Sequence, residues 1–117
     1  MTKEGYTSNE RIKEESDFLR GNISDLLHDG SITHFPSEEE FLLKFHGITQ
    51  QDNRDERLIR KKNGQERNWL FMLRLRLPGG RMTPSQWLAA ETLSDQFGNG
   101  TLKLTTRQAI QIHGVVK

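Results

Sequence analysis

Two arginines placed two residues apart are the first side chains in this sequence that point to chemistry. Arg74 and Arg76 lie within Trp69-Leu70-Phe71-Met72-Leu73-Arg74-Leu75-Arg76-Leu77, in which every odd position is apolar. Successive side chains alternate across a strand, so both guanidinium groups share the face opposite the apolar row. Lys103 alternates with Leu102 and Leu104, and Gln111 and His113 alternate with Ile110 and Ile112. If the apolar alternates meet a helix, then Arg74, Arg76, Lys103, Gln111 and His113 project together from the uncovered side. A sheet face rich in cations and amides requires either water or an anionic ligand.

Other chemistries are poorly supplied. His28, His34, His46 and His113 are scattered, with no i,i+4 pair, so no metal centre is expected. Glu38-Glu39-Glu40 reads as the first turn of a short helix, where the helix dipole favours acidic groups. Pro78-Gly79-Gly80 lacks the Gly-Lys-Ser/Thr of a phosphate loop, and no serine sits in a nucleophile-elbow pattern. The absence of cysteine excludes disulfides, thiolate metal sites and iron–sulfur ligation by this chain's own residues.

Elements that can position the cationic face are legible in the second half. Trp69–Leu77 is the strongest strand, ended by Pro78-Gly79-Gly80. Thr83, Pro84 and Gln86 then supply an N-cap, a first helical residue and a capping box. Trp87, Ala90, Leu93 and Phe97 line one helical face before Gly98. Two alternating stretches follow, Thr101–Thr105 and Ala109–His113. The order strand, helix, strand, strand predicts an α+β unit with a helix on one face of a small sheet.

The first 68 residues read as an extension with short helices, one strand and a charged loop. Ser8 caps a helix expected to run to about Arg20, with Ile12, Phe18 and Leu19 as its apolar stripe. Ile23, Leu26 and Leu27 suggest another helical turn. Phe41–His46 reads as a strand ended by Gly47, and Gln50–Asn68 as a solvated loop or charged helix with a turn at Asn63-Gly64. The 117 residues are one domain at most, 32% hydrophobic and 28% charged, so the core is small for the length. Lys+Arg 17 against Asp+Glu 16 argues against a general polyanion binder. The open face also lacks the aromatic platform that single-stranded RNA needs. No apolar run approaches the roughly 20 residues of a membrane span, so a soluble cytoplasmic protein is expected.

Three blocks resemble the sulfite reductase haemoproteins of the sirohaem-dependent nitrite/sulfite reductase family. Lys44-Phe45-His46-Gly47-Ile48-Thr49-Gln50-Gln51-Asp52-Asn53-Arg54-Asp55 is similar to the family's KFHG-x-x-QQDDRD segment. Phe71–Gly80 is similar to its ML-R-x-R-x-PGG strand, and Leu102–Gly114 to its R-L-T-x-RQ-x-x-Q-x-HG hairpin. The blocks occur in the family's order, within a similarity running from about Ser8 to Lys117.

The resemblance implies residues 69–117 as an incomplete ferredoxin-like half-domain, a partial β-α-β-β unit, behind the extension of residues 1–68. It implies a sirohaem and [4Fe-4S] enzyme carrying out the six-electron reduction of sulfite to sulfide. Arg74 would bind the sulfite anion, and Lys103, Thr105, Thr106, Arg107, Gln111 and His113 would surround the sirohaem carboxylates. Arg107 suits a bidentate carboxylate contact and Lys103 a compact charge. Electrons would come from an NADPH flavoprotein or a ferredoxin. Lys103 stands where many members carry arginine, and Asn53 where they carry aspartate. The family's cluster cysteines and further substrate lysines are absent from this chain. The expectation is therefore a fragment that needs the remainder of the haemoprotein and is inactive alone. A nitrite reductase segment and a stand-alone binding domain are the alternative readings.

Overall fold

The computed structural model describes residues 5–117. Its elements are α1 (Ser8–Glu14), α2 (Ile23–His28), α3 (Ser37–Leu43), β1 (Ile48–Asp52), α4 (Arg54–Lys62), β2 (Trp69–Leu75), α5 (Pro84–Phe97), β3 (Leu102–Leu104) and β4 (Ile110–Val115). Single 3₁₀ turns lie at Lys44–His46 and Pro78–Gly80. The strands form one antiparallel sheet in the order β1-β2-β4-β3. The fold is thus α+β, with β2-α5-β3-β4 as the half ferredoxin-like unit and β1 added at one edge.

Cross-strand partners share a face, and the register sorts the residues cleanly. Leu73 lies opposite both Ile48 and Ile112, and Leu75 opposite Ile110. This apolar face receives the helices. Phe71 packs with Phe35 and Leu43, and Ile23, Leu26, Ile48 and Val115 close around them. The Phe35 and Phe71 rings meet edge to face with centroids 5.8 Å apart, a favoured aromatic geometry. The end of α5 reaches the same face, since a side chain at Gly98 would run into Ile112. The opposite face carries Arg74, Gln111 and Lys103 in one row, because Gln111 pairs with Arg74 on β2 and with Lys103 on β3. A register shift between Phe71 and Leu73 marks a bulge in the β2–β4 ladder beside Gly114, whose φ of +76° suits a bulge.

Phe41–His46 is not a strand. It forms the end of α3 and the 3₁₀ turn, and the strand is Ile48–Asp52 instead. A short apolar run carries no period of its own, and here three acidic residues in the first turn favour the helix. Leu42 and Leu43 are then both buried. The charged stretch after Asn53 is helical, as α4, and Asn53 caps it by accepting the Asp55 N–H.

The first helix is also shorter than its composition suggests. Thr7, not Ser8, caps α1 in a box with Glu10, and the helix stops at Glu14. Ser16 Oγ donates to the Lys13 carbonyl and accepts the Leu19 N–H, offering the backbone an alternative to the next helical turn. Asp17, Phe18 and Leu19 follow with positive φ, and Phe18 stands 87% exposed rather than in an apolar stripe.

On α5 the capping box of Thr83 and Gln86 forms as expected. The contacting stripe does not. Ala90 and Ser94 are buried, whereas Trp87, Leu93 and Phe97 are 41%, 44% and 62% exposed. The sheet beneath is narrow, with β3 only three residues long. Small residues at 90, 94 and 98 let the helix approach closely, and Ser94 Oγ donates to the Thr101 carbonyl at 2.8 Å.

Two residues of the 44–55 block tie the extension to the sheet. Buried Gln50 accepts the Phe35 N–H at 2.7 Å and donates to the Phe35 carbonyl at 3.1 Å, standing in for a strand neighbour. Gln50→Ala strands both backbone groups and is expected to lower unfolding free energy by about 1–3 kcal/mol. Exposed Gln51→Ala is the matched control in denaturant titrations, with little change expected.

Asp52 accepts two bonds from Arg57, at 2.6 and 2.7 Å. Arg57's hydrogen bond and charge hold the Asp52 carboxyl below its ordinary 3.8, against a smaller opposing effect of burial. The stabilisation is complete above that ordinary value and fades as pH falls through the lowered one. Wild type is therefore expected to exceed Asp52→Asn in unfolding free energy at pH 7, with the two converging in strong acid.

Candidate anion and cofactor-binding face

The end of β2 and the β3–β4 hairpin enclose an open cleft of about 580 Å³. Arg74 and Arg76 line it from β2, Arg107 and Gln108 from the hairpin, and Phe45, His46 and Gly47 from the 3₁₀ turn after α3. Arg74, Arg76 and Arg107 are all exposed, and among the described residues none of them is held in an ion pair. By contrast Arg11, Arg20, Arg57 and Arg60 all have carboxylate partners. Three guanidinium groups around one opening without a counter-charge make a positive concavity that an anion relieves.

The hairpin that carries Arg107 is built by its own threonine. Thr105 N–H donates to the Ala109 carbonyl, Gln108 N–H donates to the Thr105 carbonyl, and Thr105 Oγ1 accepts the Ala109 N–H. The turn closes with Gln108 at φ +57°. Gly80 of the Pro78–Gly80 turn abuts it: a Cβ there would lie 2.9 Å from Gln108 Cβ. The loop after β2 and the loop before β4 are therefore packed together, fixing the two sides of the cleft.

The remaining candidates lie beside the cleft rather than in it. Lys103 and Gln111 continue the row from Arg74 across the sheet. His113 is in hydrogen-bonding contact with Gln111, Nε2 to Oε1 at 3.0 Å. Burial pushes the His113 pKa below its ordinary value, and the neighbouring Lys103 charge adds to it. An imidazole ring donating from Nε2 to the Gln111 oxygen leaves the Gln111 amide hydrogens free for another acceptor. Thr106 is exposed at the hairpin tip. Arg74 and Arg107 thus share one cleft, Arg74, Gln111 and Lys103 share one row with His113 attached, and Thr105 serves the hairpin.

Arg76, His46 and Gln108 are cleft residues that the site assignment from sequence leaves out. Alternation with Arg74 was the available signal for Arg76. Nothing local could place His46, which reaches the cleft from 28 positions before Arg74 and is anchored by a 2.8 Å contact from Nε2 to the Leu19 carbonyl.

Residues 63–117 match the nitrite/sulfite reductase ferredoxin-like half domain. The chain is 59% identical over 113 residues to the sulfite reductase [NADPH] subunit beta of Saccharomyces cerevisiae, covering 94% of this chain and 8% of that protein. It is 48% identical over 117 residues to the sulfite reductase [NADPH] hemoprotein beta-component of Shouchella clausii, covering 99% of this chain and 20% of that protein. The Bacillus subtilis hemoprotein beta-component is 49% identical over 108 residues, covering 92% of this chain and 19% of that protein. The chain therefore spans a fifth or less of the length of these relatives. Residues 63–117 of the chain are thus similar to the nitrite/sulfite reductase ferredoxin-like half domain, and over most of its length the chain is similar to sulfite reductase beta subunits.

Proposed function

We propose that this chain forms one wall of a sirohaem and sulfite site in a sulfite reductase haemoprotein, which reduces sulfite to sulfide with six electrons. The observation that supports it best is the cluster of Arg74, Arg76 and Arg107 at one cleft, none of them in an ion pair among the described residues, continued by Lys103 and Gln111. Sirohaem carries a rim of carboxylates, and this donor set suits such a rim. Arg107 offers a planar fork at the hairpin tip, Lys103 a compact charge, and Gln111, Thr105 and Thr106 neutral donors. His113, in contact with the Gln111 side chain, orients the Gln111 amide.

When bound, the sirohaem supplies electrons to the sulfur centre. The work left to this chain is electrostatic. Arg74 holds the sulfite oxyanion and offsets its negative charge during the reduction. Arg76 and His46 line the same opening and fix its polarity. The sequence contains no cysteine, so this chain gives no thiolate to the [4Fe-4S] cluster, whose ligands belong to residues outside it. The relatives' names carry NADPH, which favours NADPH as the source of electrons, through a flavoprotein partner in this reading, over a ferredoxin. A cytoplasmic setting belongs to the same reading. Among the described residues no helix is long and apolar enough to cross a membrane.

The test is an assay of the full-length protein containing this chain, loaded with sirohaem and given a chemical reductant, on sulfite and on nitrite. A higher kcat/KM for sulfite is the expected result. Preference for nitrite moves the assignment to the nitrite branch of the family, and reduction of neither anion by haem-loaded protein overturns it.

A further inference from the structure

The 3₁₀ turn at Lys44–His46 ends at a glycine that touches the backbone of Arg74. Gly47 has φ +78° and ψ +19°, a left-handed conformation that an L side chain rarely adopts. Its carbonyl accepts the Arg74 N–H at 2.8 Å. A Cβ built on Gly47 would stand 3.1 Å from the Arg74 carbonyl oxygen and 3.8 Å from Arg74 Cβ. The next residue, Ile48, opens β1 opposite Leu73, so Gly47 sits where the edge strand begins and the cleft opens.

We propose that Gly47 is a positioning residue for the anion site: its missing side chain and its carbonyl set the backbone, and hence the guanidinium, of Arg74. The inference rests on the reading of Arg74 as the anion contact. Backbone placement matters here because a long side chain carries a small displacement of its Cα to its tip. A Cβ at Gly47 can be accommodated only if the Arg74 peptide retreats by a few tenths of an ångström or the turn unwinds. Either change moves Arg74 relative to Arg107, whose hairpin tip packs through Gln108 against Gly80 at the far end of the cleft. The same contact gives the glycine of the 44–55 block a role in the site, although its own residue has no side chain to offer.

Gly64 provides a control for backbone strain. It has φ +67°, but a Cβ there meets nothing within 4 Å. Alanine at Gly64 therefore reproduces the conformational penalty without the contact to Arg74. Asparagine at Gly47 does the reverse, since it tolerates the left-handed region while still carrying a Cβ.

The experiment uses the full-length holoenzyme with Gly47→Ala, Gly47→Asn, Gly64→Ala and Arg74→Ala. Sirohaem content is read from the absorption spectrum, sulfite affinity from the spectral shift on titration with sulfite, and KM and kcat from steady-state turnover. Both Gly47 variants are expected to keep their sirohaem while weakening sulfite binding and raising KM by about tenfold, as small misplacements of a positioned group do. Gly64→Ala is expected to match wild type. Wild-type sulfite affinity in the Gly47 variants, with affinity lost in Arg74→Ala, overturns the inference and leaves the reading of Arg74 intact. Wild-type affinity in Arg74→Ala overturns that reading and the inference with it. Failure of both Gly47 variants to accumulate as folded protein also overturns the inference, because it makes Gly47 a residue of the fold alone.

Discussion

Replacing Arg74 with alanine in the full-length holoenzyme is expected to lower sulfite turnover by about 10²–10³-fold while sirohaem content stays at the wild-type level. The split follows from where Arg74 sits. It lines the cleft between the end of β2 and the hairpin, it has no ion-pair partner among the described residues, and its backbone is carried by two neighbouring strands. Removing the side chain therefore subtracts charge from the opening without loosening the sheet. Arg74→Lys is the informative companion. It keeps the charge but loses the planar fork, so partial recovery of turnover is expected, with a larger deficit in sulfite affinity than in charge-dependent steps. Equal sirohaem loss and turnover loss in Arg74→Ala would instead place the residue on the cofactor rim.

Arg107→Ala is expected to act the other way, reducing sirohaem occupancy several-fold, with the turnover of each loaded molecule less affected. Arg107 stands on a hairpin tip closed by Thr105, Gln108 and Ala109, and none of those bonds involves its guanidinium. Its removal should leave the hairpin folded and take away one charge-assisted contact to a carboxylate, a class of bond about twice as strong as its neutral counterpart. Haem absorbance per protein molecule after purification measures the effect, and equilibrium unfolding of the same sample separates it from a fold defect. Full occupancy in Arg107→Ala would remove this residue from the cofactor assignment.

The cationic face was legible because a strand writes its two faces into alternate positions. Trp69–Leu77 showed Arg74 and Arg76 opposite an apolar row, and Lys103, Gln111 and His113 followed from the same period. The structure adds the register, which puts Arg74, Gln111 and Lys103 side by side. Thr83, Pro84 and Gln86 announced the start of α5 because capping chemistry is local.

What the sequence did not disclose depends on partners distant along the chain. Phe41-Leu42-Leu43 fits a strand or a helix until the acidic first turn and the packing of Leu42 and Leu43 are known. Ser94 looks like a polar interruption of an apolar helix face, yet it is fully buried because a small hydroxyl can bond the Thr101 carbonyl. Gln50 looks like part of a solvated stretch, yet it clamps Phe35. The meeting of His46 and Gly47 with Arg74 and Arg107 joins segments some 60 positions apart, which no local period encodes.

The most direct test is an experimental structure of the full-length protein with sirohaem and sulfite bound. The Arg74 guanidinium is expected within hydrogen-bonding distance of a sulfite oxygen, about 3 Å, with Arg107 and Lys103 against sirohaem carboxylates on the face they share with Gln111. A sirohaem seated elsewhere, with Arg74 and Arg107 facing bulk water, would contradict it.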